Sequence, residues 1–190
     1  MSALRQAVSI VVDPESIRLL ADFTRSEILR LLSKYPMTET QLSEQLGLTR
    51  AAVGYHLHLL REAGLIRIDR VKAEKHGILQ KFYTPITDLF IVDPAHMPED
   101  VKRYFVRTQI EHLRGVFSVF QLYHHTSKFS SEIFEKLAIA MLKQLKIVGQ
   151  KHMKDVARGD AESLKVKIYA EALANLTKEK EWHNLFQRLG

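Results

Sequence analysis

Between Thr38 and Lys81 the polar residues recur at intervals that gather them onto shared faces. Thr49-Arg50-Ala51-Ala52 opens a helical run, and Tyr55 and His58 follow about one turn apart. At 100° per residue Ala51, Tyr55, His58 and Glu62 share one face, while Val53, Leu57 and Leu60 form an apolar stripe opposite. Small residues at Ala51, Ala52 and Gly54 allow a close approach, at Gly54 either of a ligand or of the neighbouring helix, and a phenol and an imidazole project as hydrogen-bonding groups. At the start of this run Thr49 and Arg50 stand beside free amides and the positive end of the helix dipole, a setting that favours an anion. Arg67, Arg70, Lys72, Lys75, His76 and Lys81 follow. From Leu46 to Thr84 seven Lys and Arg face three acids (Glu62, Asp69, Glu74), a local charge of +4. This is chemistry for holding a polyanion and touching its base edges, and none of it makes or breaks bonds.

The elements that must position these groups are short and well punctuated. A helix starts at Thr38, with Gln41 as its capping-box partner, and runs through Leu42 and Leu46 to Gly47. The turn Gly47-Leu48-Thr49 joins it to the Thr49–Ala63 helix, which Gly64 closes. Two helices joined by three residues containing glycine are a helix-turn-helix, and Thr38, opening the first of them, is taken as a contact residue too. Ser43 is small enough for close packing, and Leu42, Leu46 and Leu48 are expected against Val53, Leu57 and Leu60.

Upstream the pattern predicts two further helices. Ile17, Leu19 and Leu20 give the first its apolar side; Thr24 with Glu27 caps the second, which packs through Ile28, Leu29, Leu31 and Leu32 and stops at Pro36. Downstream the period falls towards 2: LIRIDRV and ILQKFYT read as strands about a lysine-bearing turn, KAEKHG. The expected fold is mainly α with a small β-hairpin: a winged helix-turn-helix domain over 1–88, a proline-marked connection over 89–98 and a long-helix dimerisation region over 99–190.

The stretches LADFTRSEILRLL, TETQLSEQLGLTRAAVGYHLHLLREAGLI and KFYTP resemble the ArsR-like winged-helix transcription regulators, archaeal members in particular, over about residues 15–88. That resemblance implies a homodimer on double-stranded, partly palindromic operator DNA. The helix over 49–63 would lie in the major groove and the wing over 65–84 on backbone or minor groove. The implied contacts are Thr38, Thr49, Arg50, Ala51, Ala52, Gly54, Tyr55, His58, Arg67, Arg70, Lys72, Lys75, His76 and Lys81. His56 sits beside Val53 and Leu60 on the wheel and is expected to pack. Metal-sensing members carry thiolates near this helix; the chain has no cysteine, which excludes soft-metal sensing there.

The remainder predicts three helices: Glu99 to His125, Ser130 to Arg158 with Gly159 as the stop, and Asp160 to Leu189. Phe105, Leu113, Phe117 and Phe120 on the first, Leu137, Met141 and Leu145 on the second, and Ile168 and Trp182 on the third are expected to join two subunits. A small hydrophobic effector held in this region is an alternative role for it, and a winged-helix protein adaptor is the alternative for the whole chain. His112, His124, His125 and His152 lack paired ligand spacing, and no phosphate loop, H-E-x-x-H or G-x-S-x-G is present, so neither a metal, a cofactor nor an enzyme is expected. No segment has the apolar length of a membrane span, and a cytoplasmic protein is expected. The 190 residues carry a net +6, of which 16 bases against 12 acids, or +4, lie beyond Asp88.

Overall fold

A computed structural model describes residues 5–73, 79–124, 130–157 and 160–187. The head begins with α1 (Pro14–Leu20), where the Asp13 carboxylate accepts the Ser16 amide at 2.8 Å. Asp22 caps α2 (Phe23–Lys34) in the same way, accepting the Arg25 amide at 2.9 Å. This corrects the expected Thr24–Glu27 box. The helix already includes Phe23, which carries Thr24 into the first turn, and Glu27 pairs instead with Arg30 at 2.8 Å. Next come α3 (Glu39–Leu46), α4 (Arg50–Glu62) and the antiparallel strands β2 (Ile66–Ala73) and β3 (Leu79–Pro85). Ile28, Leu32, Leu42, Val53, Leu57 and Leu60 form the centre of the head's core. Met37 and Tyr83 exchange backbone hydrogen bonds (2.8 and 3.2 Å), which fastens the α2–α3 turn to the hairpin.

A second sheet was not foreseen. The run QAVSIV is β1 (Gln6–Val11), and it pairs in parallel with β4 (Thr87–Val92). The segment 89–98, expected as a mere connection, thus holds the last four residues of β4 and a single 3₁₀ turn at Pro94–His96. Parallel strands need a long crossover, and here the crossover is the entire winged-helix head. Both faces of the pair are covered. Ala7, Val8 and Ile91 join the helical core, while Val11 and Val92 pack with Ile17 and Met97.

The helical part comprises α5 (Glu99–His124), α6 (Ser131–Lys151), α7 (Ala161–Lys178) and α8 (Lys180–Gln187). The caps at Ser130 and Asp160 stand where the sequence puts them, but α6 ends at Lys151, short of Arg158 and Gly159, which lie outside the described residues. The chain leaves the helix there because the open edge of β1 needs partners. The Ala7 amide donates to the Asp155 carbonyl (2.9 Å), and the Ala157 amide to the Arg5 carbonyl (2.7 Å). The last predicted helix is broken into two at Glu179.

The residues expected at a subunit seam serve the interior of one chain. Leu113, Phe117, Leu137, Met141, Leu145, Ile168 and Trp182 are buried among α5, α6, α7, α8 and the parallel pair. Phe105 is half-buried beside Val92 and Met97, and the side chain of Phe120 lies outside the described set. Periodicity marks an apolar face without saying whether the same chain covers it, and here it does. Among the described residues no helix is long and apolar enough to cross a membrane.

Where β4 turns into α5, the Asp93 carboxylate receives Lys146 Nζ at 2.7 Å, the Ala95 amide at 3.0 Å and His96 Nδ1 at 3.0 Å. Burial by itself would raise its pKa, but Lys146, the Ala95 amide and His96 outweigh it and hold the carboxyl below the ordinary value. A depressed folded pKa adds stability above the unfolded value of about 3.9 and loses it as pH falls through the folded one. Lys146→Met is therefore expected to cost about 2 kcal/mol at pH 7, because the carboxylate stays buried without its ammonium. The deficit should narrow as acid protonates Asp93 in the variant and close only below the depressed pKa of the parent, where Asp93 is protonated in both proteins. Denaturant midpoints at pH 7, 5 and 3.5 check this, and a deficit that does not change with pH would contradict it.

Candidate nucleic-acid interface

The turn between α3 and α4 is fixed by local chemistry. Thr38 Oγ1 accepts the Gln41 amide at 3.2 Å while Gln41 Oε1 accepts the Thr38 amide at 2.9 Å, the reciprocal box expected. Gly47 has φ +65°, a left-handed conformation that glycine adopts at little cost. The Leu48 amide then returns to the Ser43 carbonyl at 3.1 Å. Thr49 Oγ1 accepts the Ala52 amide at 3.2 Å and its carbonyl takes the Val53 amide. The amides of Arg50 and Ala51 precede the first bonds of the helix and stay open to an anion. Gly64, φ +68°, ends the unit.

Val53, Leu57 and Leu60 turn inward on α4, and Ala51, Tyr55, His58 and Glu62 face solvent. Tyr55 is 60% exposed although its ring could bury a large apolar area, so packing does not account for it. His56 is half-buried and edge-on to Tyr55 at 5.6 Å between ring centres, a packed residue as expected. Arg50 projects from the first turn, its nearest acid being Glu39 at 3.9 Å.

Three expected positions have other duties. Thr38 is buried and its hydroxyl is occupied by the cap, so it supports the turn without reaching outward. Gly54 faces α3: a Cβ there would lie 3.2 Å from Glu39 Oε2, so the close approach it permits is between helices. Leu48, expected in the core, is exposed at the turn. Arg61, absent from the expected set, shares a hollow of about 120 Å³ with Gly54, Leu57, His58 and Tyr83. Its position three residues after His58 was the available signal. Burial pushes the Tyr83 phenol above its ordinary pKa, and nearby Glu39 adds to this, so the group is neutral and a donor.

The hairpin sorts its cations by strand geometry. A bulge between Ile68 and Arg70 inserts one residue, which returns Arg70 to the face of Arg67; Lys72 follows on that face, opposite Gln80. Lys81 pairs with Val71 and points to the other face. Arg70 is held over the Phe82 ring at 4.2 Å and bonds Asp69 at 2.8 Å, whereas Lys72 and Lys81 are exposed. Lys75 and His76 lie outside the described residues.

Residues 22–67, about a quarter of the chain, match the family model described as "Bacterial regulatory protein, arsR family". The segment runs from the cap of α2 to the first residues of the hairpin, so it takes in the whole of the geometry above. Residues 22–67 are an arsR-type helix-turn-helix. That arsR unit belongs to a DNA-binding transcription regulator rather than an enzyme, and its hairpin is the wing.

Solved structures similar to the chain include the transcriptional regulator HlyU from Vibrio vulnificus CMCP6, 24% identical over 47% of this chain and 75% of that one, with a TM-score of 0.31. The homodimeric winged helix-turn-helix domain of Mb0332 from Mycobacterium bovis is 20% identical over 53% and 77%, with a TM-score of 0.33. Lactococcus lactis ZitR, in its C30AH42A mutant, is 21% identical over 68% and 74%, with a TM-score of 0.32. Likeness at this level carries no function across to the chain. No curated protein matches it. Among the described residues no group of three His, Asp or Glu is placed to hold a metal ion.

Proposed function

We propose that the chain is a sequence-specific, homodimeric regulator of transcription that reads double-stranded DNA through α4. The observation that carries this reading is the outward face of α4, where Tyr55 and His58 stand solvated behind a capped N-terminus with two open amides. Arg50 and those amides suit phosphate and Tyr55 suits a base edge, while Lys72 and Lys81 on the wing suit the flanking backbone. Two copies would place two such helices on half-sites one helical turn apart, matching a partly palindromic operator.

Selection of bound sites from a genomic DNA library tests the reading directly, because it returns binding, specificity and half-site spacing together. A single unpaired half-site would refute the dimer, and no enrichment would refute specific recognition. Two variants then separate the roles. Tyr55→Ala is expected to reduce discrimination between the selected site and a scrambled one by about 1–3 kcal/mol. Lys72→Ala should weaken both DNAs alike and lower the log-log salt slope by about 1. Fluorescence anisotropy at several salt concentrations makes the measurement, and identical uniform losses from both variants would contradict the division.

A further inference from the structure

A groove of about 500 Å³ runs between α5 and α6, walled at one end by the turn that follows β4. Met97, Val106, Ile139, Leu142 and Ile147 give it an apolar lining, and Ile147 is 46% exposed. Three lysines (Lys102, Lys143 and Lys146) meet the groove, and Asp93 is its one acid. Two of the ammonium groups are held: Lys146 bonds Asp93 at 2.7 Å and Lys102 bonds Glu99 at 2.8 Å. Lys143 makes no ion pair among the described residues. Asp93 is covered by Lys146, His96 and the Ala95 amide, so little negative charge reaches the groove.

Apolar lining and uncompensated positive charge together select an occupant. A bare hydrocarbon would strip water from the lysines without replacing it, and a highly charged anion would leave the apolar wall wet. A helix, about 10 Å across, is a poor fit to a hollow whose volume lies in the range of small-molecule sites. The geometry points to a site for a free amphipathic carboxylate, an alkyl or aryl acid of medium length. Its hydrocarbon lies on Ile139, Leu142 and Ile147, and its carboxylate meets Lys143. This goes beyond DNA recognition and does not rest on it.

The test is calorimetric titration of the full chain with hexanoate, octanoate, decanoate and methyl decanoate, with no DNA present. Expected are one saturable site per chain, affinity rising about fourfold per methylene, and an ester at least tenfold weaker than its acid. Lys143→Glu, a surface change, should weaken decanoate by at least tenfold, and Ile147→Asp should abolish its binding, both with an unchanged circular dichroism spectrum. The site is refuted by no saturable binding up to millimolar acid, by equal affinity for acid and ester, or by variants that bind like the parent. It is equally refuted if sedimentation finds a dimer that Ile147→Asp dissociates while decanoate fails to bind, since a second copy then fills the groove.

Discussion

Arg5→Ala is expected to remove about 3–5 kcal/mol of stability, an outcome out of proportion to a residue near the start of the described chain. Its guanidinium pairs with the Asp88 carboxylate and donates to Thr84 Oγ1 at 3.3 Å. The Asp88 side chain is only 2% exposed and sits where the hairpin passes into β4. An exposed pair is worth little, since water solvates whichever ion is left. Removing the guanidinium here withdraws a paired positive charge from a carboxylate held inside the protein. The double variant Arg5→Ala/Asp88→Ala should recover part of the loss, because deleting both ions also deletes the desolvation penalty. Urea melts of the two single variants and the double make the cycle. A loss under 1 kcal/mol for Arg5→Ala would mean that Asp88 is hydrated and the pair superficial.

Gly149→Val should be about as damaging, for a steric reason. A Cβ at this position on α6 would lie 2.4 Å from Ile91 Cδ1 and 3.3 Å from Ile10 Cδ1, one isoleucine on each strand of the parallel pair. The near atom is the tip of the Ile91 side chain, which can turn, but Ile91 is itself buried, so the space it turns into must come from packed neighbours. Overpacking of this kind costs about 1–3 kcal/mol and at times more, and the branched side chain puts Gly149→Val at the upper end, about 3 kcal/mol. Gly115, on α5 with nothing within 4 Å of its would-be Cβ, is the internal control. Gly115→Ala is expected to gain up to about 1 kcal/mol from helix propensity alone. Thermal melts of both variants settle the pair, and an unchanged Gly149→Val midpoint would show that the contact yields.

The readable parts of the sequence were those determined within a few residues. Thr38 with Gln41, Thr49, Gly47 and Gly64 each act on their own turn, and the inward stripe of α4 follows from its period. The cap of α2 was harder because Asp22 and Thr24 are both competent, and the choice depends on whether Phe23 enters the helix. β1 had no local signal at all, since its partner is far along the chain and its apolar run is short. The early end of α6 belongs to the same blind spot: 155–157 leave the helix to serve the edge of β1. Among the expected contact residues, exposure at Tyr55 and His58 was legible from the wheel. Whether Gly54 admits a ligand or the neighbouring helix could not be decided there, because it depends on where α3 lies. The one-residue bulge at Asp69 likewise decides which wing cations share a face.

Placing the head between two neighbouring strands also sets an order of assembly. The buried residues of the head core fall between Ile28 and Ile66, so most of that core can form while the rest of the chain is still emerging from the ribosome, with Tyr83 and Phe90 packing on it later. β1, made first, must wait: Gln6 meets Thr87 81 residues on, and Ala7 meets Asp155 later still. Until then its apolar residues have no native cover, and closing so long a loop is slow relative to local helix formation. The newborn protein thus holds a largely formed helix-turn-helix before it has a finished body, with an unpaired apolar strand as the segment exposed to mispairing in the interval.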